Sequence, residues 1–223
     1  MTWLDLAFIH YRIDPSALAL LLPTGLRVDE FDGSAWIGLV PFRMANVAPR
    51  PLPNLPGLSA FPEVNVRTYV DVHGKPGVWF FSLDADSWPA VFGGQRFFNL
   101  PYFSARMQQT ERGGWFDYAS VRLRGPGIFR GRYRPTGEVF LSRPGTFEHW
   151  ATERYCLYAH SPRRGLARLE VHHARWPLQT AEAEIADNTL FAAAGLTSVA
   201  DAAPICHFSR GVDVISFNAE RIS

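Results

Sequence analysis

Polar and apolar residues alternate in the segment 61–72, FPEVNVRTYVDV, and its polar residues have the chemistry of a ligand site. Glutamate transfers protons, arginine holds an anion through its planar guanidinium, and asparagine and tyrosine orient a ligand by hydrogen bonds. Side chains two apart in a strand share a face. One face of this strand therefore carries Glu63, Asn65, Arg67, Tyr69 and Asp71.

The polar face of this segment has two possible environments. It could meet water, as the outer face of an ordinary antiparallel sheet does, or it could line an enclosed hollow. The next apolar run, Trp79 to Leu83, is too apolar for a fully hydrated sheet, which favours the hollow. Glu63 and Arg67 would be roughly 13 Å apart along the strand, so their pairing would need convergence or a third group.

Amine catalysis has one side-chain candidate in this chain. Lys75 is the only lysine among 22 cationic residues, and the rest are arginines, which cannot form an imine. Lys75 lies in a Gly-Lys-Pro-Gly turn, which predicts exposure to water and an ordinary pKa near ~10.4. We therefore expect no Schiff-base chemistry.

Histidine, metal and cofactor signals are weak. His172 shares a strand face with Glu170 and is a candidate for proton transfer, although a structural histidine is the alternative. His172 and His173 would point to opposite faces, and no His-Glu-x-x-His or Cys-x-x-Cys spacing occurs, so we expect no metal. The chain also lacks a phosphate loop and a dinucleotide fingerprint, which predicts no cofactor.

The charge balance argues against a nucleic-acid partner. The net charge is +1, which provides no long-range field to attract nucleic acid. An arginine ladder, defined as Arg130, Arg132 and Arg134, could bind anions. We interpret it instead as a solvated or ion-paired face, because acids are equally numerous.

The amino-terminal segment and the hydropathy indicate a cytoplasmic protein. Residues 1–14 have Asp5 inside an apolar stretch and no basic leader. No window approaches the ~20 apolar residues that a spanning helix needs, so we expect no membrane insertion.

The fold class follows from turn residues and period-two alternation. Seventeen prolines and eighteen glycines divide the chain into short segments, which predicts a mainly β (α+β) fold. We predict one domain, 1–223, built as an antiparallel β-barrel or cone with a few peripheral helices. Hairpin turns are predicted at 32–33, 73–77, 113–114 and 161–165; helices are predicted at 16–22, 88–98, 146–152 and 186–194. The proline-rich stretch 48–59 is predicted to be an extended loop.

Several longer segments carry a family resemblance. They are WLDLAFIHYRIDPSALALLLPTGLRVDEFDGSAWIGLVPFRM, FPEVNVRTYV, GKPGVWFFSLDA, TERYCLY and HHARWPLQ. With them the chain resembles the YqjF-like family of uncharacterised bacterial proteins over nearly its whole length. That resemblance implies a fold like that of acetoacetate decarboxylase, a β-rich cone or barrel with helices outside.

The resemblance also has consequences for mechanism. Acetoacetate decarboxylase uses a Schiff-base lysine in a Gly-Arg-Glu…Pro-Lys-Lys segment, and 94–103, GQRFFNLPYF, resembles it. The two lysine positions correspond to Tyr102 and Phe103. Glu63 corresponds to a glutamate that lines the decarboxylase pocket. The resemblance thus implies the scaffold without its nucleophile.

Three functions remain open from the sequence. The first is binding of a small organic acid, with Arg67 or Arg96 on the carboxylate. The second is a non-Schiff-base lyase, isomerase or hydratase in which Glu63 and Tyr102 transfer protons. The third is a structural or oligomer-forming module, and a homo-oligomer is possible in each case. The candidate ligand-binding residues are Glu63, Asn65, Arg67, Tyr69, Arg96 and Tyr102, and the catalytic candidates are Glu63, Tyr102 and His172.

Overall fold

The computed structural model describes residues 1–47 and 59–222. With 59% strand and 12% helix it confirms a mostly β fold. The strands are β1 (Thr2–Ile13), β2 (Arg27–Val28), β3 (Ala35–Ala45), β4 (Phe61–Val72), β5 (Lys75–Ala85), β6 (Tyr102–Arg112), β7 (Trp115–Arg122), β8 (Ile128–Pro135), β9 (Phe140–Leu141), β10 (Cys156–Ser161), β11 (Gly165–His173), β12 (Pro177–Asn188) and β13 (Ile205–Arg221). The helices are α1 (Pro15–Ala19), α2 (Trp88–Phe98), α3 (Phe147–Thr152) and α4 (Leu190–Ala193). The loop predicted at 48–59 lies, except for Ser59, outside the described residues.

The strands form one sheet that folds back on itself. Their order is β2-β4-β3-β1-β13-β11-β10-β5-β6-β7-β8-β12-β9, with further pairings of β4 to β5 and of β13 to β12. The β4–β5 pairing closes a ring of seven strands, and β4 is one of its walls. Side chains on the inner face of that ring are therefore surrounded by other strands.

Two pairings differ from the predicted antiparallel arrangement. β10 runs parallel to β5, and β5 runs parallel to β6, where Leu83 is opposite Tyr102. Parallel neighbours need a crossover connection, usually a helix. Here α2 supplies that connection between β5 and β6, so the segment that we read as a peripheral helix also sets the strand direction.

Three of the predicted hairpins are confirmed, and the first is wrong. β4 pairs with β5, β6 with β7, and β10 with β11, each across its predicted turn. Arg27 and Val28, however, pair with β4 rather than with β3. The Asp32-Gly33 turn closes only a Phe31–Ser34 bridge, because β3 is already flanked by β1 and β4.

The helix predictions vary in accuracy. α2 spans the predicted residues despite its Gly93-Gly94 pair, with Ser87 capping its start and Asn99 in the left-handed conformation at its end. α3 begins after the predicted cap, Thr146. α1 ends early, at Ala19. α4 is shorter than predicted because residues 186–188 continue β12, where Asn188 pairs with Phe129 of β8.

β4 is buried on both faces. Val64 and Val66 pack in a core with aromatic side chains of β7 and β8, such as Phe116 and Phe129. Burying one valine in this way contributes roughly 1.5–3 kcal/mol. On the other face, Tyr69 packs in a second cluster with residues of β3 and α3. The strands β7 and β8 thus cover one side of β4, and the polar side of β4 faces the ring.

The helices of the described part of the chain are short. None of them is long and apolar enough to cross a membrane.

Candidate ligand-binding site

The polar residues of β4 point into the ring and are shielded from water. The exposed fractions are 2% for Glu63, 4% for Asn65, 9% for Arg67 and 0% for Tyr69. We call these four residues the β4 row. Asp71, the fifth polar residue, is only partly buried and pairs with Arg27 at the rim. The choice that the sequence left open between water and an enclosed interior is therefore decided in favour of the interior.

Glu63 and Tyr102 form a hydrogen-bonded pair at one end of the β4 row. The Tyr102 hydroxyl donates to Oε2 of Glu63 over 3.1 Å. Burial raises the pKa of Glu63 to about 8, and the nearby negative charge of Asp84 adds to this effect. Burial and the Glu63 charge raise the pKa of Tyr102 well above its usual value. At neutral pH the pair consequently holds its protons and can donate one.

The helix α2 positions Tyr102 through a glycine. Gly94 is buried, and a Cβ on it would lie 2.3 Å from Cδ2 of Tyr102. The Tyr102 ring therefore occupies the space that any larger residue at position 94 would need. Gln95 contributes a hydrogen bond from its side-chain amide to the Tyr102 carbonyl oxygen over 2.7 Å.

A second polar cluster lies at the other end of the β4 row. The Tyr69 hydroxyl is 2.5 Å from Nε2 of His10, and Nη2 of Arg67 donates to the same hydroxyl over 3.4 Å. Burial, and then the positive charge of Arg67, lower the pKa of His10 well below its usual value. His10 is therefore neutral, and the Tyr69 hydroxyl can accept from Arg67 while donating to Nε2.

Arg67 is a buried cation without an anionic partner among residues 1–47 and 59–222. Its hydrogen bonds are to the neutral Tyr69 hydroxyl and to the Ala151 carbonyl oxygen, and its Nε has no partner. Oδ1 of Asn65 and Nδ1 of His10 are also buried without partners. Burying a charge is costly unless it is paired, so this end of the row is suited to an anion.

A small cavity adjoins Arg67. Its volume is about 30 Å³, and its walls include Trp3, Phe80, Thr152 and Trp176 together with a second arginine, Arg154. A cavity holds one water for each ~10–15 Å³ of such volume, so about two waters fit. A larger groove of about 530 Å³ lies on the outer face of β6, β7, β8 and β12, away from the β4 row, and it is open to solvent.

Arg154 was not recognised as a site residue from the sequence. Its side chain is 4% exposed, and Nη1 is 2.6 Å from Oδ2 of Asp29. From its place in the segment Glu153-Arg154-Tyr155-Cys156, Arg154 is expected only to be a neighbour that could lower the pKa of the Cys156 thiol. In the structure burial raises the pKa of the Cys156 thiol. The local sequence Glu-Arg-Tyr-Cys has no alternation of polar and apolar residues, so it does not distinguish a buried arginine from an exposed one.

Two sequence candidates lie outside this interior. Arg96 is exposed on α2, on a different side of the helix from the buried Val91 and Gly94, and its guanidinium lies over Phe97. His172 is exposed on β11, opposite Ile215. The structure brings Glu63 to Tyr102, and Arg67 to Tyr69, but it brings neither Arg96 nor His172 to them.

The only lysine also lies apart from the β4 row. Lys75 begins β5 at the hairpin, and its ammonium group pairs with Glu170 of β11. Its side chain is 41% exposed. Its ion pair fits a structural role at the surface.

The arginine ladder is paired with acidic residues of the neighbouring strand β12. Each arginine of the ladder forms an ion pair with one acidic residue of β12. The pairs are Arg130 with Asp187, Arg132 with Glu184, and Arg134 with Glu182. These pairs are exposed, in agreement with the interpretation of the ladder as an ion-paired face. In the described ranges no three histidine, cysteine or acidic side chains converge to hold a metal ion.

Comparisons with known proteins agree with this architecture. The DUF2071 family, described as an uncharacterised conserved protein, matches residues 1–213. The chain belongs to this family. Uncharacterised protein YqjF of Bacillus subtilis (strain 168) is 43% identical over 215 residues, covering 96% of this chain and 88% of YqjF.

Solved structures resemble this member of the DUF2071 family in fold. The enduracididine biosynthesis enzyme MppR, complexed with pyruvate, matches with a TM-score of 0.68 at 15% identity. The match covers 100% of this chain and 89% of the MppR chain. Acetoacetate decarboxylase from Legionella pneumophila matches with a TM-score of 0.62 at 13% identity. This match covers 100% of this chain and 87% of the decarboxylase chain. The resemblance in fold to acetoacetate decarboxylase, expected from the sequence, is confirmed.

Proposed function

We propose that the interior of the ring binds a small organic acid without Schiff-base chemistry. The observation that carries this proposal is the buried guanidinium of Arg67, which has no carboxylate partner in the described part of the chain. A bound carboxylate would remove the cost of burying that charge and would accept hydrogen bonds from it. The β4 row and Tyr102 would orient the rest of the ligand.

Two further facts support an acid as the ligand. MppR, which has a similar fold, has been seen in complex with pyruvate, a small carboxylate. The protonated Glu63 can donate a hydrogen bond to a ligand oxygen, which a carboxylate ion could not do. Because the only lysine is paired at the surface, binding would not lead to an imine.

A thermal-shift screen followed by calorimetry tests this proposal. The panel contains small oxo, hydroxy and enoic acids, and a ligand at 100 times its Kd adds about 2.7 kcal/mol to the free energy of unfolding. We expect Arg67→Met to fold and to lose the shift. Arg96→Met is the matched control and should keep it, because Arg96 is exposed on α2. If no acid shifts the parent protein, a structural or oligomer-forming role replaces this proposal.

Proton transfer at the same site is the second candidate function. The observation that favours it is the contact between Glu63 and Tyr102, since a carboxyl group with a pKa of about 8 can both accept and donate a proton near neutral pH. This would suit a non-Schiff-base lyase, isomerase or hydratase. The test is solvent deuterium exchange into a bound acid, followed by NMR. Loss of exchange in Glu63→Gln, with binding retained, would place this function above simple binding.

A further inference from the structure

The small cavity beside Arg67 is bordered by a second buried arginine from a distant part of the chain. Arg154 follows α3, and its Nε donates to the Trp150 carbonyl oxygen, which fixes the side chain. Arg67 donates to the Ala151 carbonyl oxygen of the same helix. The helix α3 therefore positions two guanidinium groups around one space.

The aromatic ring of Tyr69 fixes the same two arginines. The guanidinium carbon of Arg154 is 5.2 Å from the Tyr69 ring centroid, and that of Arg67 is 5.6 Å from it. Such contacts with an aromatic ring stabilise a cation without neutralising it. The contacts with the Tyr69 ring therefore leave the positive charge of each guanidinium group unchanged.

The charges around the cavity define the charge of its occupant. Arg154 is paired with Asp29, whereas Arg67 has no acidic partner among the residues that the structure describes. Among the arginine and acidic side chains, two guanidinium groups and one carboxylate leave a single excess positive charge at the cavity, whose lining also includes His173. A monoanion balances that charge, whereas a dianion would leave a buried negative charge, which is costly.

The size of the cavity limits the ligand further. A volume of about 30 Å³ is filled by a group that replaces roughly two waters, such as the two oxygens of a carboxylate. Trp3, Phe80 and Trp176 provide apolar walls for a short carbon chain. The lining residues Leu157 and Val171 are partly exposed, so the side of the cavity that they form lies near solvent.

We infer that Arg154 is a second anion-binding residue and that, with Arg67, it selects small monocarboxylates over dianions. This inference rests on the proposed function, because it assigns the place and the charge of the acid that the interior binds. Asp29 then acts as a competitor of the ligand, since it occupies part of the hydrogen-bonding capacity of Arg154.

Fluorescence titration with defined acids tests this inference, using the tryptophans of the cavity wall as reporters. The titrations are made at pH 8, where inorganic phosphate is mainly a dianion; the probes are acetate, propionate and pyruvate as monoanions, and malonate and inorganic phosphate as dianions. We expect the parent protein to bind at least one monoanion at least tenfold more tightly than either dianion. Arg154→Met should weaken that binding about tenfold or more, and Asp29→Asn should tighten it. Arg154→Lys keeps the charge but loses the planar set of guanidinium donors, so it should also weaken that binding, and it gives a second measurement if Arg154→Met does not fold.

The outcomes separate this inference from the function on which it rests. Unchanged affinity in Arg154→Met or Arg154→Lys and in Asp29→Asn, with affinity lost in Arg67→Met, would overturn the role of Arg154 and leave acid binding intact. Equal or tighter binding of malonate or phosphate would overturn the charge selection. Absence of binding of every probe to the parent protein would overturn both proposals.

Discussion

The hydroxyl of Tyr102 and the carboxyl group of Glu63 are joined by a hydrogen bond of 3.1 Å, in which Glu63 is 2% exposed and Tyr102 is partly buried. A strand supplies the acid, and the residue that follows a helix crossover supplies the phenol. Because burial disfavours the charged form of each, the pair remains protonated at neutral pH. The stability of the protein should therefore depend on the protonation of Glu63.

Replacing Glu63 by glutamine should alter how stability varies with pH. The pKa of Glu63 is about 8 in the folded protein and near 4.5 when unfolded, so the folded state binds more protons between these values. The free energy of unfolding of the parent should consequently fall as pH rises through this window, by up to about 1.4 kcal/mol per pH unit. Glu63→Gln should lack this fall in urea denaturation at pH 5 to 8.

The buried histidines do not obscure that comparison. Burial lowers the pKa values of His10 and His207, so these two contribute stability that increases as pH rises toward the ordinary histidine value of 6.5. This contribution is common to the parent and the variant and cancels in their difference. If the free energy of unfolding varied with pH in the same way in the parent and in Glu63→Gln, this result would contradict the assignment of a raised pKa to Glu63.

An alanine at position 94 should displace Tyr102. The new Cβ would lie 2.3 Å from the Tyr102 ring, and we expect a loss of about 1–3 kcal/mol in the free energy of unfolding from this overpacking. Gly93→Ala is the matched control, because nothing lies within 4 Å of its Cβ. It should stabilise α2 by about 0.5–1 kcal/mol. Equal effects of the two substitutions in urea denaturation would show that Tyr102 is not held against Gly94.

Removing one partner of the buried ion pair between Asp84 and Arg122 should be strongly destabilising. Arg122 donates to both carboxylate oxygens of Asp84, over 2.7 and 2.9 Å, and the two side chains are 4% and 0% exposed. Asp84→Asn leaves a buried guanidinium uncompensated, for which we expect a loss of about 3–5 kcal/mol.

The exposed ladder provides the control for that substitution. Glu184 pairs with Arg132, and their side chains are 58% and 46% exposed. Glu184→Gln should change the free energy of unfolding by no more than about 1 kcal/mol. If Asp84→Asn proved as mild as Glu184→Gln in thermal denaturation, the Asp84–Arg122 pair would not be buried as described.

Borohydride reduction in the presence of β-keto acids should leave the protein mass unchanged. Lys75 is paired with Glu170 at a hairpin, which gives it no contact with the β4 row, and arginine forms no imine. Intact-mass spectrometry measures the result, with a Schiff-base decarboxylase as positive control. A mass increase located at Lys75 would contradict the absence of Schiff-base chemistry.

Some features of the site are local and could be predicted. The alternation of FPEVNVRTYVDV placed Glu63, Asn65, Arg67 and Tyr69 on one face, because side-chain direction in a strand depends on local stereochemistry. The α2 boundaries were likewise predictable, since Ser87 and Asn99 cap the helix through contacts with nearby residues. The direction of β6 was not predictable from such signals, because it depends on where α2 returns the chain.

The sequence by itself determined which side chains share a strand face, and it restricted amine chemistry to Lys75, because strand periodicity and composition require no knowledge of distant contacts. The tertiary structure alone decided that this face is enclosed, that Tyr102 meets Glu63, and that Arg154 reaches the cavity of Arg67. An isolated strand has two equivalent faces. Which face is enclosed is decided only when other strands pack apolar side chains against one face and surround the other face with a ring.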